Sequence, residues 1–146
     1  MIKIIVIFAT VNSLVYGDVN TALSCAKINV KECQGIGYNY TTLSSRRDIS
    51  RQKSFSDIMT NVHPYVRSEC SPQFDFLLCT AYFPMCIDGK PPIGPCRAFC
   101  QKVRDDCEVV LKLSGHKWPE DLDCSRFYGE NDHMNLCIVS NKFCVV

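Results

Sequence analysis

The sequence predicts a small, mostly helical domain that is locked by disulfide bonds. Eleven of the 146 residues are cysteine, a density typical of secreted scaffolds and not of cytosolic domains, whose thiols stay reduced. Three segments carry apolar residues at helical spacing, and no repeat, low-complexity run or linker divides the chain. One domain therefore accounts for the length.

The charge balance excludes two classes of protein, a polycationic nucleic-acid binder and a strongly acidic decoy. Lysine and arginine number 16 and aspartate and glutamate 15, which gives a net charge of +1. A polycationic nucleic-acid binder would carry a large positive excess, so we expect no nucleic-acid partner. Apolar residues make up 47% and charged residues 21%, a composition that is globular rather than disordered.

The N-terminus resembles a secretory signal peptide. Lys3 precedes a short apolar run over residues 4–11, and Val15 and Gly17 place small or aliphatic residues where a signal peptidase reads. We predict cleavage after Gly17, with the alternative of an uncleaved terminal helix or strand left open. The run is shorter than the roughly 20 apolar residues of a membrane span, and we expect neither a later span nor a lipid anchor. Residues 18–146 would then form the extracellular domain, with a core over 25–138 and a short tail.

Alternation over residues 26–31 predicts a short strand. A first helix is predicted over 53–66, where Phe55, Ile58, Met59, Val62 and Val66 share one face. Pro64 should kink this helix or end it early, because proline lacks the backbone N–H.

A second helix is predicted to begin with Ser71 as N-cap and Pro72 at the first helical position, and Pro84 should stop it. A third is predicted over 95–113, closed by Gly115 and Pro119. Its cysteines at 96, 100 and 107, together with Val103, fall on one stripe at 100° per residue. One helical face would therefore present three half-cystines to the rest of the domain.

No catalytic or metal-binding motif is present in the sequence. His63, His116 and His133 lack metal-ligand spacing, and no nucleophile elbow, phosphate loop or zinc-protease motif occurs. We therefore expect no enzyme activity, no metal and no cofactor.

Two features have more than one interpretation. Arg46, Arg47, Arg51 and Lys53 form a basic run in a predicted loop, which is either a solvated segment or a contact for heparan sulfate. Cys144, two residues from the end, is predicted to be unpaired within the domain. It is either a free terminal thiol or an intermolecular bridge. The sequon at Asn39 predicts N-glycosylation.

Several motifs, taken together and in order, resemble a Frizzled-type cysteine-rich domain. They are CQGIGYNYT from Cys33, FLLC ending at Cys79, YFPMC ending at Cys86, PCRAFC from Pro95, and then Cys107, Trp118-Pro119, Cys124 and Cys137. The resemblance covers nearly the whole chain after the signal peptide. It implies a mostly helical fold with short N-terminal β-strands and five disulfides. These are Cys25–Cys86, Cys33–Cys79, Cys70–Cys107, Cys96–Cys137 and Cys100–Cys124.

The resemblance also implies a non-enzymatic module that binds lipid-modified Wnt ligands. It assigns an acyl-binding groove to Asn61, Val62, Pro64, Ala81, Val110, Ser114, His116 and Ile138. It assigns a second patch, for a hydrophobic finger of the ligand, to His63, Phe76, Met85 and Ile138. Core packing is the competing interpretation for Val62, Val110 and Phe76. Ser114 and His116 stand where many Frizzled receptors have aromatic residues, which makes this groove less apolar.

Two settings fit this function. The domain would act either as a secreted decoy or carrier, or as the ectodomain fragment of a Frizzled-like receptor at the outer face of the plasma membrane. Two other functions stay open: a lipid-independent interaction module that includes homodimerisation, and a small-lipid or sterol carrier.

Overall fold

The computed structural model describes residues 24–43, 47–66, 70–130 and 135–139. Within these residues, two strands precede four helices, which confirms the mostly helical fold class. In chain order they are β1 (Ser24–Lys27), β2 (Tyr40–Leu43), α1 (Arg47–Asn61), α2 (His63–Val66), α3 (Phe74–Tyr82) and α4 (Arg97–Leu113). Three short 3₁₀ turns cover Lys31–Cys33, Glu120–Leu122 and Cys124–Arg126. The predicted signal peptide, Arg46, His133 and Cys144 lie outside the described residues.

β1 and β2 pair antiparallel, with Ala26 opposite Thr41. The predicted strand over 26–31 was wrong in its bounds, because the strand ends at Lys27 and the chain turns into a 3₁₀ segment from Lys31. Single bridges extend the pairing from Thr41 to Met85 and from Met85 to Ile93. These bridges hold the segment that follows α3 against the sheet.

The first helix starts earlier than predicted, at Arg47, and is interrupted as Pro64 requires. α1 ends at Asn61, and α2 resumes at His63 with proline at its second position, where a missing N–H costs little. Arg47, Arg51 and Lys53 are therefore helical, and the prediction of a basic loop was wrong for them.

The second helix starts later than predicted. Ser71 does not cap it directly: its Oγ accepts a long hydrogen bond from the Gln73 N–H (3.4 Å), and the helix begins at Phe74. Residues 71–73 form a turn whose Ser71 carbonyl accepts from the Phe74 N–H (3.1 Å). α3 ends before Pro84, as predicted.

α4 carries the core of the domain. Cys100, Val103, Cys107 and Leu111 are fully buried along one face, which confirms the predicted cysteine stripe. The structure contains the disulfides Cys25–Cys86, Cys33–Cys79, Cys70–Cys107, Cys96–Cys137 and Cys100–Cys124. This pairing is the same as the one that the resemblance implies, and three of the five bridges run from α4 or its N-cap.

A hydrogen bond joins Tyr38, which lies just before β2, to the segment after α3. Its hydroxyl donates a 2.7 Å hydrogen bond to the Phe83 carbonyl, and burial raises the pKa of the phenol well above its usual value of about 10. The neutral phenol is thus the form that the fold stabilises. Its contribution is complete below about pH 10 and is lost as the pH rises toward the folded-state pKa.

We expect the free energy of unfolding to fall above about pH 10, and Tyr38→Phe to reduce that fall. At neutral pH the same change should cost about 1 kcal/mol, the net value of one hydrogen bond. Urea unfolding at several pH values, with disulfides intact, measures both effects. Tyr128→Phe, at an exposed ring, is the matched control. An identical pH dependence for the Tyr38 variant and the control would contradict the assignment.

Candidate functional site

The short helix α2 packs against α4. Val66 in α2 and Val62 just before it are buried, and the Cys70–Cys107 disulfide fastens the chain that follows to the middle of α4. The outer side of this pair of helices is therefore held on a rigid support.

A turn after α4 brings an imidazole onto α2. Gly115 adopts a φ of +75°, which glycine reaches without strain, and the His116 N–H then donates to the Leu111 carbonyl (2.8 Å). The His116 ring lies 4.8 Å from the Tyr65 ring, tilted by 39°. The Ser114 hydroxyl donates to the Val110 carbonyl (2.9 Å), so its polar group is satisfied within α4. Ser114 and His116, two of the polar residues of the predicted groove, thus each contact a neighbour within the domain.

Three large apolar side chains are exposed on α2 and on the last two turns of α4. Tyr65 is 46% exposed, Val109 63% and Leu113 84%. Single exposed apolar residues are ordinary, but Val109, half-buried Val110 and Leu113 lie within one turn of one another on α4, and Tyr65 contacts His116 just beyond that helix. We call Tyr65, Val109, Val110 and Leu113 the apolar face. Tyr65, Val109 and Leu113 were not predicted as site residues. The available signal was the spacing of Val109 and Leu113, which lie one turn apart on the side of α4 away from its cysteines, where charged residues are usual.

Six of the predicted groove residues lie at this end of the molecule. Asn61 ends α1, Val62 joins α1 to α2, and Pro64 lies in α2. Val110, Ser114 and His116 come from the end of α4 and the turn beyond it. These six residues therefore lie in α2, just before it, and at the end of α4, and their joining into one groove stays a prediction.

Ala81 and Ile138 lie elsewhere. Ile138 exchanges hydrogen bonds with the segment that starts α4: its N–H donates to the Gly94 carbonyl and its carbonyl accepts from the Cys96 N–H, both at 2.9 Å. α4 has 17 residues, so the two ends are about 25 Å apart. Ala81 lines a separate cavity with Tyr82 and Asp121, among others. None of the other predicted groove residues lines that cavity.

The second predicted patch falls mostly at the N-terminal end of α4. Phe76 packs edge-to-face on Phe99 of the first turn (5.9 Å between centroids). Met85 pairs with Ile93, and Ile138 pairs with Pro95, two residues further along the same segment. His63 lies on α2, where its Nε2 is 2.7 Å from the Asp75 carboxylate of α3. Ile138 thus belongs with Phe76 and Met85 and not with the apolar face.

Charges on the flank of α4 pair with one another. Glu108 is 3.4 Å from both Arg104 and Lys112, and Lys102 is 3.2 Å from Asp106. The hydrogen bond from Arg104, followed by the charge of Lys112, lowers the pKa of Glu108. These exposed pairs are i,i+4 contacts that solubilise the helix.

Nothing in the described ranges is arranged for metal chemistry. Across residues 24–43, 47–66, 70–130 and 135–139, no group of three His, Cys, Asp or Glu side chains could hold a metal ion. In the same ranges no helix has both the length and the apolarity needed to cross a membrane.

The fold and the disulfide pairing define a small, disulfide-locked helical domain of the Frizzled cysteine-rich type. The family model of the Fz domain matches residues 25–131, and the chain belongs to this family. It is 40% identical to Frizzled-4 of Xenopus laevis over 116 residues, which is 79% of this chain and 22% of that protein. It is 39% identical to Frizzled-4 of Homo sapiens (78% and 21%) and 33% identical to Frizzled-8 of Mus musculus (82% and 18%).

A solved structure shares the fold. The crystal structure of the Smoothened CRD superposes with a TM-score of 0.50 at 26% identity, covering 72% of this chain and 90% of that one. The chain spans about a fifth of the length of the Frizzled relatives it matches. The likeness therefore concerns one domain of those proteins.

Proposed function

We propose that this chain is an extracellular, non-enzymatic domain that binds lipid-modified Wnt proteins. The single observation that carries the proposal is the apolar face, exposed on α2 and on the end of α4 in a Frizzled-type domain. The acyl chain of the ligand would lie against Tyr65, Val110 and Leu113, beside the predicted groove residues Val62 and His116. The proposal is the same for a soluble decoy and for a receptor ectodomain.

Burial of hydrocarbon supplies enough free energy for such a mode. Each methylene removed from water is worth about 0.8 kcal/mol, so ten of them give about 8 kcal/mol before ordering costs. This free energy is gained in full only if the surface is already ordered before the ligand binds. The Cys70–Cys107 disulfide and the buried Val62 and Val66 hold α2 on α4, so little order has to be created on binding.

The second patch would take a protein contact from the same ligand. Phe76 and Met85 are half-buried. Phe76 packs on Phe99 in the first turn of α4, and Met85 pairs with Ile93 in the segment before that helix. They lie toward the opposite end of α4 from the apolar face. A ligand that contacts both surfaces would therefore extend along this helix. Such a two-point contact accounts for affinity beyond that of the acyl chain alone.

Leu113→Glu should weaken binding of an acylated Wnt by about ten- to a hundredfold, because a buried leucine is worth about 1.5–3 kcal/mol. The side chain is 84% exposed, so the thermal midpoint should not move. The matched control is Gln101→Glu, which adds the same charge at an exposed site near the other end of α4.

The decisive comparison uses the same Wnt with its acylated serine replaced. We expect the unmodified chain to bind the acylated form far more tightly, and Leu113→Glu to remove most of that difference. Equal affinity for the two Wnt forms would refute the acyl-binding mode and support a lipid-independent interaction module. A Leu113→Glu variant that binds like the unmodified chain would place the acyl chain elsewhere.

A further inference from the structure

The glycosylation sequon at residues 39–41 lies on a strand that is paired along both of its edges. On the side of β1, the Asn39 carbonyl accepts a hydrogen bond from the Ile28 N–H (2.9 Å). On the other side, the Tyr40 carbonyl accepts a hydrogen bond from the Cys86 N–H (3.0 Å). The backbone of the sequon is therefore held from both sides in the folded domain.

The two residues that define the sequon differ in accessibility. Asn39 is exposed, whereas Thr41 is only 6% exposed. The Thr41 hydroxyl oxygen is buried and has no hydrogen-bond partner among the described residues. The Asn-x-Ser/Thr motif requires a hydroxyl at its third position, so the transferring enzyme must reach that group as well as the asparagine. In the folded domain only the asparagine is within its reach.

A disulfide joins the two segments that flank this strand. Cys25 of β1 stands opposite Thr42 of β2 and is bonded to Cys86, whose N–H pairs with the other edge. Closing this bond removes two protons and two electrons, which a disulfide exchange partner accepts. The closed disulfide keeps both pairing segments beside β2, so a local opening that frees the sequon becomes rare. Cys86 follows Asn39 in the chain, so the sequon is synthesised before this bond can form.

We propose that the Asn39 sequon is a glycan acceptor only before the Cys25–Cys86 disulfide closes. In the transfer, the Asn39 side-chain nitrogen attacks the anomeric carbon of an oligosaccharide carried on a lipid diphosphate. A C–N bond forms, the bond from that carbon to the diphosphate oxygen breaks, and the amide proton passes to a base of the enzyme. A chain that closes the disulfide first stays unglycosylated at Asn39. This order concerns the glycosylation predicted at Asn39 and does not depend on Wnt binding.

The test offers the purified chain, produced without glycans, to an oligosaccharyltransferase with its lipid-linked oligosaccharide. Mass spectrometry measures the modified fraction of Asn39 over time. The disulfide-intact chain should be modified at least about tenfold more slowly than the same chain after reduction and alkylation, because modification then waits for a local opening of the sheet. A C-terminal extension that carries the same Asn-Tyr-Thr tripeptide in a flexible Gly/Ser linker is the internal control. Its rate should be the same in both forms.

Two double variants test whether this disulfide ends the period of accessibility. Cys25→Ser with Cys86→Ser should raise the rate at Asn39 in the oxidised chain. Cys70→Ser with Cys107→Ser is the matched control and should leave Asn39 protected. It removes another disulfide, and among the described pairings neither of its cysteines lies in a segment that pairs with β2.

Three results would overturn the proposal. The first is modification of Asn39 at equal rates in the intact and the reduced chain. The second is no modification of Asn39 in the reduced chain while the control tripeptide is modified. The third is equal protection of Asn39 in the two double variants. The comparison of intact with reduced chain uses no variant cysteine, so it stays valid if a double variant does not fold.

Discussion

Replacing Cys100 and Cys124 together by serine should sharply reduce secretion and destabilise whatever chain is secreted. The disulfide closes a loop of 24 residues, for which the chain-entropy model gives a loss of about 3 kcal/mol. Both cysteines are almost fully buried, so the serine hydroxyls would add a desolvation cost. The total is a large part of a typical net stability of about 5–15 kcal/mol.

The double variant leaves the other four disulfides with complete partners, so mispairing of a stranded thiol does not confuse the result. Cys144→Ser is the matched control, because Cys144 is not a member of the five disulfides. Secreted yield by immunoblot and urea unfolding of the secreted fraction measure the effect. Normal yield and an unchanged unfolding midpoint in the double variant would show that this disulfide is dispensable.

Phe74→Ala should cost about 3–5 kcal/mol, the range found for removing a buried aromatic ring. Phe74 is the first residue of α3, is 1% exposed, and packs edge-to-face on Trp118 with ring centroids 6.1 Å apart. Trp118 is itself held by a 2.8 Å hydrogen bond from its Nε1 to the Leu122 carbonyl. The indole cannot easily move into the space that the phenyl ring leaves, so a cavity should persist.

Urea unfolding with disulfides intact measures this loss as a lower midpoint at an unchanged slope. Tyr128→Ala, at a ring that is 46% exposed, should change the free energy of unfolding by less than about 0.5 kcal/mol. A Phe74→Ala variant that is as stable as the Tyr128 variant would show that α3 repacks around the gap.

Patterns among neighbouring residues located most of the helices but predicted the wrong first residue for them. The apolar stripe and Pro64 located α1 and α2, and the cysteine stripe with Gly115 located α4, because both signals are properties of neighbouring residues. The start of α1 at Arg47 was missed, since residues 47–52 carry little apolar periodicity. The start of α3 was placed too early, because Ser71 supports a turn rather than a helical cap.

The disulfide pairing shows a different limit. Ten half-cystines permit many pairings, and their spacing cannot choose among them. Only the resemblance to a known family supplied the five pairs. In the structure, Cys96, Cys100 and Cys107 each reach a different segment because successive turns of α4 face different neighbours.

The sequence by itself determined the class of this protein: a cysteine-rich, near-neutral, mostly helical Frizzled-type domain. Only the tertiary structure decided how its sites are composed. It left Tyr65 of α2 and Leu113 of α4 exposed, and it placed Ile138 beside the segment that starts α4. The reason is physical: composition and periodicity act over a few residues, whereas a site is formed by contacts between segments that lie far apart in the chain.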